Sequence, residues 1–244
     1  VSTLVDSPRE RSIQGCVTKH GVFTGPLQRQ FVAHPLLANM RVVEGDKYCG
    51  AQIMGSDNDT ETHIEAARVA QIVGKRLASE GYRGIFGVDF LLDGSDTLYT
   101  LEVNPRITGV TPLLAAMFAD EAGVPFYLLH ILELGKYEYE IIDASTNFNR
   151  DGALLVLHTQ QDQTTEIVSM PRSGTYEVVN DDLRFVSRNI TFSQLKQGQL
   201  ILQEYLPPGM HVWPGGRVMT ILWNDVLIDS KTDTWYNKKL EIIN

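Results

Sequence analysis

Cysteine is nearly missing from this chain: Cys16 and Cys49 are its only two, and their spacing fits no metal motif. A disulfide-rich secreted scaffold is thereby excluded. Two buried free thiols in a reducing compartment, read as the cytoplasm, are the expectation, with a single disulfide as the alternative. No apolar run approaches the roughly 20 residues needed to cross a bilayer, so no membrane span or membrane partner is read. Positive charge is in deficit, with 21 Lys and Arg against 30 Asp and Glu. That balance argues against a nucleic-acid surface but leaves room for a phosphate site built locally. The opening VSTLVDSPRERSIQG lacks an initiator Met and has neither the basic nor the apolar region of a signal peptide. It reads as a cut inside a longer chain. Repeats and low-complexity tracts are missing as well.

What is present suffices for two domains: 244 residues, of which 43% are hydrophobic. Alternation from Ser12 to Val32 around Lys19-His20-Gly21 predicts two strands and a turn. Residues 33–56 read as mostly irregular. Asn58–Gly81 is the clearest helix, capped by Asn58, Asp59 or Thr60, with Ile64, Ala67, Ala70, Val73 and Leu77 as its apolar stripe and Gly81 as its stop. Strands Gly84–Leu92 and Thr97–Asn104 follow, then short helices Thr111–Glu121 and Pro125–Leu134. After about Ser145 the composition shifts to short β-rich runs (ALLVLHT, TEIVSM, LRFVSRNI, LILQEYL, RVMTILW) separated by Gly, Pro, Asn and Asp. Tight turns are expected at Leu206-Pro207-Pro208-Gly209 and Trp213-Pro214-Gly215-Gly216. The expected division is 1–144 and 145–244. Trp213, Trp223 and Trp235 read as core or interface residues.

The chemistry concentrates in GIFGVDFLLDGSDTLYTLEVNPRITG, Gly84 to Gly109. If Leu92 faces Thr97, then Phe86, Val88, Phe90, Leu92, Tyr99, Leu101 and Val103 share an apolar face. The other face carries Gly87, Asp89, Thr100, Glu102 and Asn104, with Asp89 and Glu102 as diagonal neighbours. Two carboxylates that close repel unless a cation joins them, and Mg²⁺ takes hard oxygen ligands from one or two carboxylates plus phosphates. An ordinary hairpin with a solvated polar face would also read this way. The following Asn104-Pro105-Arg106 tips the balance, because it sets a planar cation beside the acidic pair. Thr108, Gly109 and Thr111 add hydroxyls and accessible backbone near a helix start, a natural place for an anion.

The run GVDF, a hairpin, then LEVNPR resembles the metal-binding signature of the ATP-grasp superfamily, closest to the branch of biotin carboxylase and carbamoyl-phosphate synthetase. The resemblance implies an α+β fold: the C-terminal part of an ATP-grasp domain, an antiparallel sheet with flanking helices, followed by a β-rich accessory domain. It also implies Asp89, Glu102 and Asn104 as ligands of two Mg²⁺ ions, for which Mn²⁺ can substitute, and Arg106 as the residue that stabilises the transferred phosphoryl group or the acyl-phosphate intermediate. Leu4-Val5-Asp6-Ser7-Pro8-Arg9, then Ser12-Ile13-Gln14, resembles the segment after the family's adenine-contacting hinge. Leu4 would then touch the nucleotide, and the phosphate-covering loop and lysines would lie upstream of Val1. Gly25 to Gln30 resembles the polar strand lining the same site, which makes Gln28, Arg29 and Gln30 candidate contacts, with Thr108 and Arg106 on the phosphate side; a polar strand edge is the alternative. His20 reads as a solvated turn residue. Where biotin carboxylases carry a glutamate base for bicarbonate, this chain has Val110, which disfavours biotin carboxylation.

The implied activity is an ATP-dependent carboxylate–amine ligase, forming an acyl phosphate and releasing ADP and phosphate. Its substrates would be a small carboxylate and an amine or amino acid, with homo-oligomerisation compatible. A retired or regulatory nucleotide-binding module and a non-ligase phosphotransferase of the same fold are the alternatives. Without the upstream residues, the 244-residue piece is expected to catalyse nothing.

Overall fold

The computed structural model describes residues 5, 8–42, 47–57, 60–119, 126–141, 150–229 and 234–242. Strands are β1 (Arg9–Thr18), β2 (Gly21–Val32), β3 (Tyr48–Ile53), β4 (Gly84–Leu92), β5 (Leu98–Asn104), β6 (Gly152–His158), β7 (Thr165–Glu166), β8 (Gly174–Val179), β9 (Asp182–Ser187), β10 (Gln199–Glu204), β11 (His211–Val212) and β12 (Arg217–Trp223). Helices are α1 (Glu61–Ser79), α2 (Thr111–Phe118), α3 (Phe126–Leu134) and α4 (Asn237–Glu241). The fold is α+β and dominated by antiparallel pairing. Among the described residues no helix is long and apolar enough to cross a membrane. Two compact units form, Val1–Arg29 with Ile53–Arg150, and Gln30–Gln52 with Asp151–Asn244. The expected boundary at 144/145 lies outside the described residues. Residues 30–52, expected with the first domain, group instead with the second unit, because Phe31, Leu37, Ala38 and Cys49 bury in its core.

In the first unit the strands lie in the order β5-β4-β1-β2. β1 and β2 turn at Lys19-His20, as the alternation predicts. α1 begins at Thr60, whose hydroxyl accepts from the His63 amide, a cap that contributes about 1 kcal/mol. It stops at Gly81, which takes a positive φ of 86°. Ala66 and Ala70 bury against Ile13, Val17, Leu27, Phe86, Val88 and Phe90 on one face of the sheet. Ile64, expected in the buried stripe, is instead 61% exposed, because the buried positions centre on Ala66, Ala70 and Gly74. α2 and α3 meet through the edge-on rings of Phe118 and Phe126. His130 Nδ1 of α3 accepts from the Ile85 amide, which ties that helix to β4.

In the second unit the order is β3-β6-β12-β10-β8-β9, and β11 pairs with β7 separately. Ala153, Leu155, Leu200, Leu202, Ile221 and Trp223 form its core. Two of these strands have no clear signal in the sequence. β3 is buried along almost its whole length, so it has no polar alternation to announce it. Gly50 within it has a φ of 136°, and a Cβ there would sit 2.0 Å from the Leu154 carbonyl oxygen. β8 falls in GTYEVV, between the runs that read as strands. Both expected turns form: the Met210 amide donates to Pro207 O, and the Gly216 amide to Trp213 O. Trp223 is in the core, and Trp235 packs on Phe31 and His34, whereas Trp213 is 67% exposed at its turn.

His158 is buried, its Nδ1 lies 3.2 Å from Leu37 O, and its Nε2 has no partner among the described residues. Burial depresses its pKa from 6.5 to about 4. In the window between those values the unfolded chain binds a proton that the folded chain refuses. Stability that is full above the upper value is therefore lost as pH falls through the lower one. We predict that the wild-type melting temperature falls more steeply across this window than that of His158→Asn. Parallel profiles would contradict it.

Candidate functional site

The β4–β5 hairpin departs from the expected register in two compensating ways. Its turn is one residue longer, because the Asp93 amide donates to Thr97 O and Leu92 therefore faces Leu98. Asp93 closes that turn by accepting from the Ser95 hydroxyl and from the amides of Thr97 and Ser95, and these bonds, the hydroxyl's first, pull its pKa down to about 2. A bulge at Leu101 then shifts the pairing again between Asp89 and Phe90. Two shifts restore the original parity. Asp89 stands directly opposite Glu102 rather than diagonal to it, and Gly87 stands opposite Asn104. The apolar face is corrected too. Thr100 pairs with Phe90 on the α1 side, Tyr99 joins the carboxylate side, and Tyr99, Leu101 and Val103 are exposed because β5 is an edge strand.

Cross-strand pairing extends these positions into rows. Glu102, Asp89, Ser12 and Gln28 form one row across four strands, spanning about 14 Å at the usual strand spacing. Asn104, Gly87 and Gln14 form the next. Opposite Gln14 the β1–β2 pairing is irregular at Gly25-Pro26, where a residue without an amide hydrogen costs the ladder nothing. Ser12, Gln14 and Gln28 are buried. Ser12 and Gln14 enter the sequence reading only as part of the hinge-following segment, with no contact assigned to either; the polar-apolar-polar alternation around Ile13 is what sets them on one face.

The Asn104 amide joins the acidic pair: Nδ2 donates to Asp89 Oδ2 at 2.7 Å and to Glu102 Oε1 at 2.9 Å. Arg106 Nη2 donates to Asn104 Oδ1 at 3.0 Å. Two opposed carboxylates and a carbonyl oxygen are the donor set of a hard divalent cation, provided the amide turns its oxygen inward. No group of three or more His, Cys, Asp or Glu gathers among the described residues. A cation here would thus take two protein carboxylates and need further oxygens from its ligand, which suits a nucleotide-borne metal.

Beyond Asn104 the chain loops to α2 through Arg106, which is exposed, with its amide on Asn104 O and Nη1 on Ile107 O. Thr108 Oγ1 and Thr111 Oγ1 donate to Gln14 Oε1 at 2.7 and 2.5 Å. The Thr108 hydroxyl, a candidate ligand contact, is thus directed to the sheet. Its methyl rests on Gly87, where a Cβ would lie 2.7 Å from Thr108 Cγ2. We predict that Gly87→Ala costs about 1–3 kcal/mol through overpacking, measured by denaturant unfolding. Unchanged stability would contradict this contact. Val110 is buried, and its carbonyl accepts from the amides of Leu113 and Leu114, so no proton-moving group occupies that position.

The other candidates are placed less centrally. Gln28 Nε2 donates to Pro26 O at 3.4 Å. Arg29 pairs with Asp57 at 3.2 Å on the α1 face and does not join the carboxylates. Gln30 falls in the second unit, and Leu4 lies outside the described residues. His20, read as solvated, is exposed but bonds Tyr139 O at 2.9 Å. Cys16 and Cys49 are both buried and free.

Residues 18–110 match the family model of the ATP-grasp domain. No curated protein matches the chain by sequence. Among solved structures, biotin carboxylase from Campylobacter jejuni, crystallised with a β,γ-ATP ligand, is similar at a TM-score of 0.56 and 12% identity, over 92% of this chain and 44% of that one. N5-carboxyaminoimidazole ribonucleotide synthetase from Thermus thermophilus is similar at 0.53 and 15%, over 91% and 47%. The biotin carboxylase domain of the Hydrogenobacter thermophilus 2-oxoglutarate carboxylase, in complex with MgADP and bicarbonate, is similar at 0.54 and 12%, over 91% and 43%. The chain therefore spans less than half the length of each of these relatives, and the likeness is one of fold.

Proposed function

We propose that this chain, whose residues 18–110 belong to the ATP-grasp superfamily, supplies the metal and phosphate floor of an ATP-dependent ligase that activates a carboxylate and joins it to an amine. The observation that carries the reading is the Asp89–Glu102 pair, opposed across two strands and bridged by Asn104. Asp89, Glu102 and Asn104 would hold Mg²⁺, which when bound neutralises phosphate charge as the phosphoryl group moves. Arg106 stands beside them to take the charge of the transferred group. The family resemblance assigns Gln28, Gln30 and Leu4 to the nucleotide. The complexes of the biotin carboxylases with MgADP and with an ATP ligand support this cofactor set. Two free buried thiols are compatible with the cytoplasm.

A carboxylate is a poor electrophile because it has no good leaving group. Its oxygen attacks the γ-phosphorus of ATP, ADP departs, and an acyl phosphate forms. The amine nitrogen then attacks the acyl carbon, phosphate leaves, and the nitrogen gives up a proton. Buried Val110 has no group to activate bicarbonate, which favours an organic acid as the substrate. The test is an ADP-release screen of the full-length protein with Mg²⁺ across amino acids, dipeptides and small organic acids. Stimulation by an acid–amine pair is expected. ADP release that no acid stimulates would sink the ligase reading in favour of a phosphotransferase or a regulatory module.

A further inference from the structure

We infer that Gln14 is a positioning residue that sets Arg106 for phosphoryl transfer by holding the loop behind it; this rests on the ligase reading above. The loop that carries Arg106 is fixed at both ends by the same cross-strand row. At its start Asn104 pairs with Gly87 of β4, and Gly87 pairs with Gln14 of β1. At its end the hydroxyls of Thr108 and Thr111 converge on one atom, Gln14 Oε1. Thr111 also ties the loop to itself: its Oγ1 accepts from the Thr108 amide at 3.2 Å and lies 2.9 Å from Thr108 O, an alternative acceptor for its one proton. Arg106 lies between these anchors, and its guanidinium bonds only within the loop, to Asn104 Oδ1 and Ile107 O, among the contacts described. Its position is therefore that of the loop, and the loop's position is that of Gln14.

The cost of Gln14 argues that its oxygen matters. The side chain is fully buried, yet Nε2 has no hydrogen-bond partner among the described residues, a penalty of about 1–3 kcal/mol that an apolar residue would avoid. What the amide contributes in return is an acceptor for two hydroxyls at the loop's far end. A displacement of a reacting group by about 1 Å can cost about 100-fold in rate, so a latch two residues from the arginine has leverage on the chemistry.

The test uses full-length protein and two probes: MgADP, and MgADP with aluminium fluoride as a stand-in for the transferred phosphoryl group. Affinities are measured by calorimetry for wild type, Gln14→Leu, Gln14→Glu, Arg106→Ala and the Gln14→Leu/Arg106→Ala double variant. Gln14→Leu should bind MgADP as wild type does but lose about 10-fold of the tightening that aluminium fluoride brings. Gln14→Glu, which keeps an acceptor oxygen for both hydroxyls, should recover most of it. In the Arg106→Ala background Gln14→Leu should add nothing. An equal loss in both backgrounds, or a parallel fall in MgADP affinity, would overturn the positioning role. Should Gln14→Leu not fold, Thr111→Val, which removes one of the two hydroxyls at nearly constant shape, carries the same comparison. Wild-type protein that binds no MgADP would defeat the nucleotide reading itself, and the positioning role with it.

Discussion

Glu102→Gln in the full-length protein should reduce ADP release by about 1,000-fold, corresponding to about 4 kcal/mol of lost transition-state stabilisation. The substitution keeps the side chain's length and shape and removes one negative charge. Glu102 is exposed on an edge strand, so little packing depends on it. Its carboxylate stands opposite Asp89 and accepts from Asn104 Nδ2. With a neutral amide there, a metal–nucleotide complex loses one of two anionic ligands, and the phosphates lose part of the charge compensation on which transfer depends. The folded protein should not suffer, since replacing one of two facing carboxylates relieves repulsion. A melting temperature at or above wild type, together with lost turnover, separates this outcome from simple unfolding. Turnover near the wild-type rate would remove Glu102 from the metal site.

Arg106→Ala should lower the same rate by about 100- to 1,000-fold, the range found when a single preorganised charge donor is removed from a reacting centre. Arg106→Lys should recover only part of it. The guanidinium makes two directed contacts at once, to Asn104 Oδ1 and to Ile107 O, and an ammonium cannot reproduce that planar fork. The alanine variant also frees the Asn104 oxygen, so metal affinity should hold or rise slightly while the chemical step fails. Manganese titration of both variants checks that division. A variant whose metal affinity collapses along with its rate would place Arg106 among the metal's supports and not at the phosphoryl group.

Much of this site is legible in the sequence because β structure writes its faces with a period of two. Asp89, Glu102 and Asn104 alternate with apolar neighbours, and no register consistent with that alternation could separate them onto different faces. The register itself is not legible. It depends on how Asp93 closes the turn and on where Leu101 bulges, and neither has a signature stronger than a local hydrogen-bond preference. The two shifts cancel in parity, which is why the face survives although Tyr99 and Thr100 exchange sides. Gln14 is hidden for a different reason. Its role needs Thr108 and Thr111, more than 90 residues away along the chain, and only folding brings them to it. β3 and the grouping of 30–52 with the second unit are hidden because a fully buried strand carries no polar rhythm.

The most direct measurement of the central claim is trapping with hydroxylamine: full-length protein, Mg²⁺, ATP and the acid pool, with hydroxamate formation followed against ADP release. Hydroxamate that appears with wild type, requires both ATP and an acid, and vanishes in Glu102→Gln is the predicted result. ADP release with no hydroxamate from any acid would contradict carboxylate activation at this hairpin.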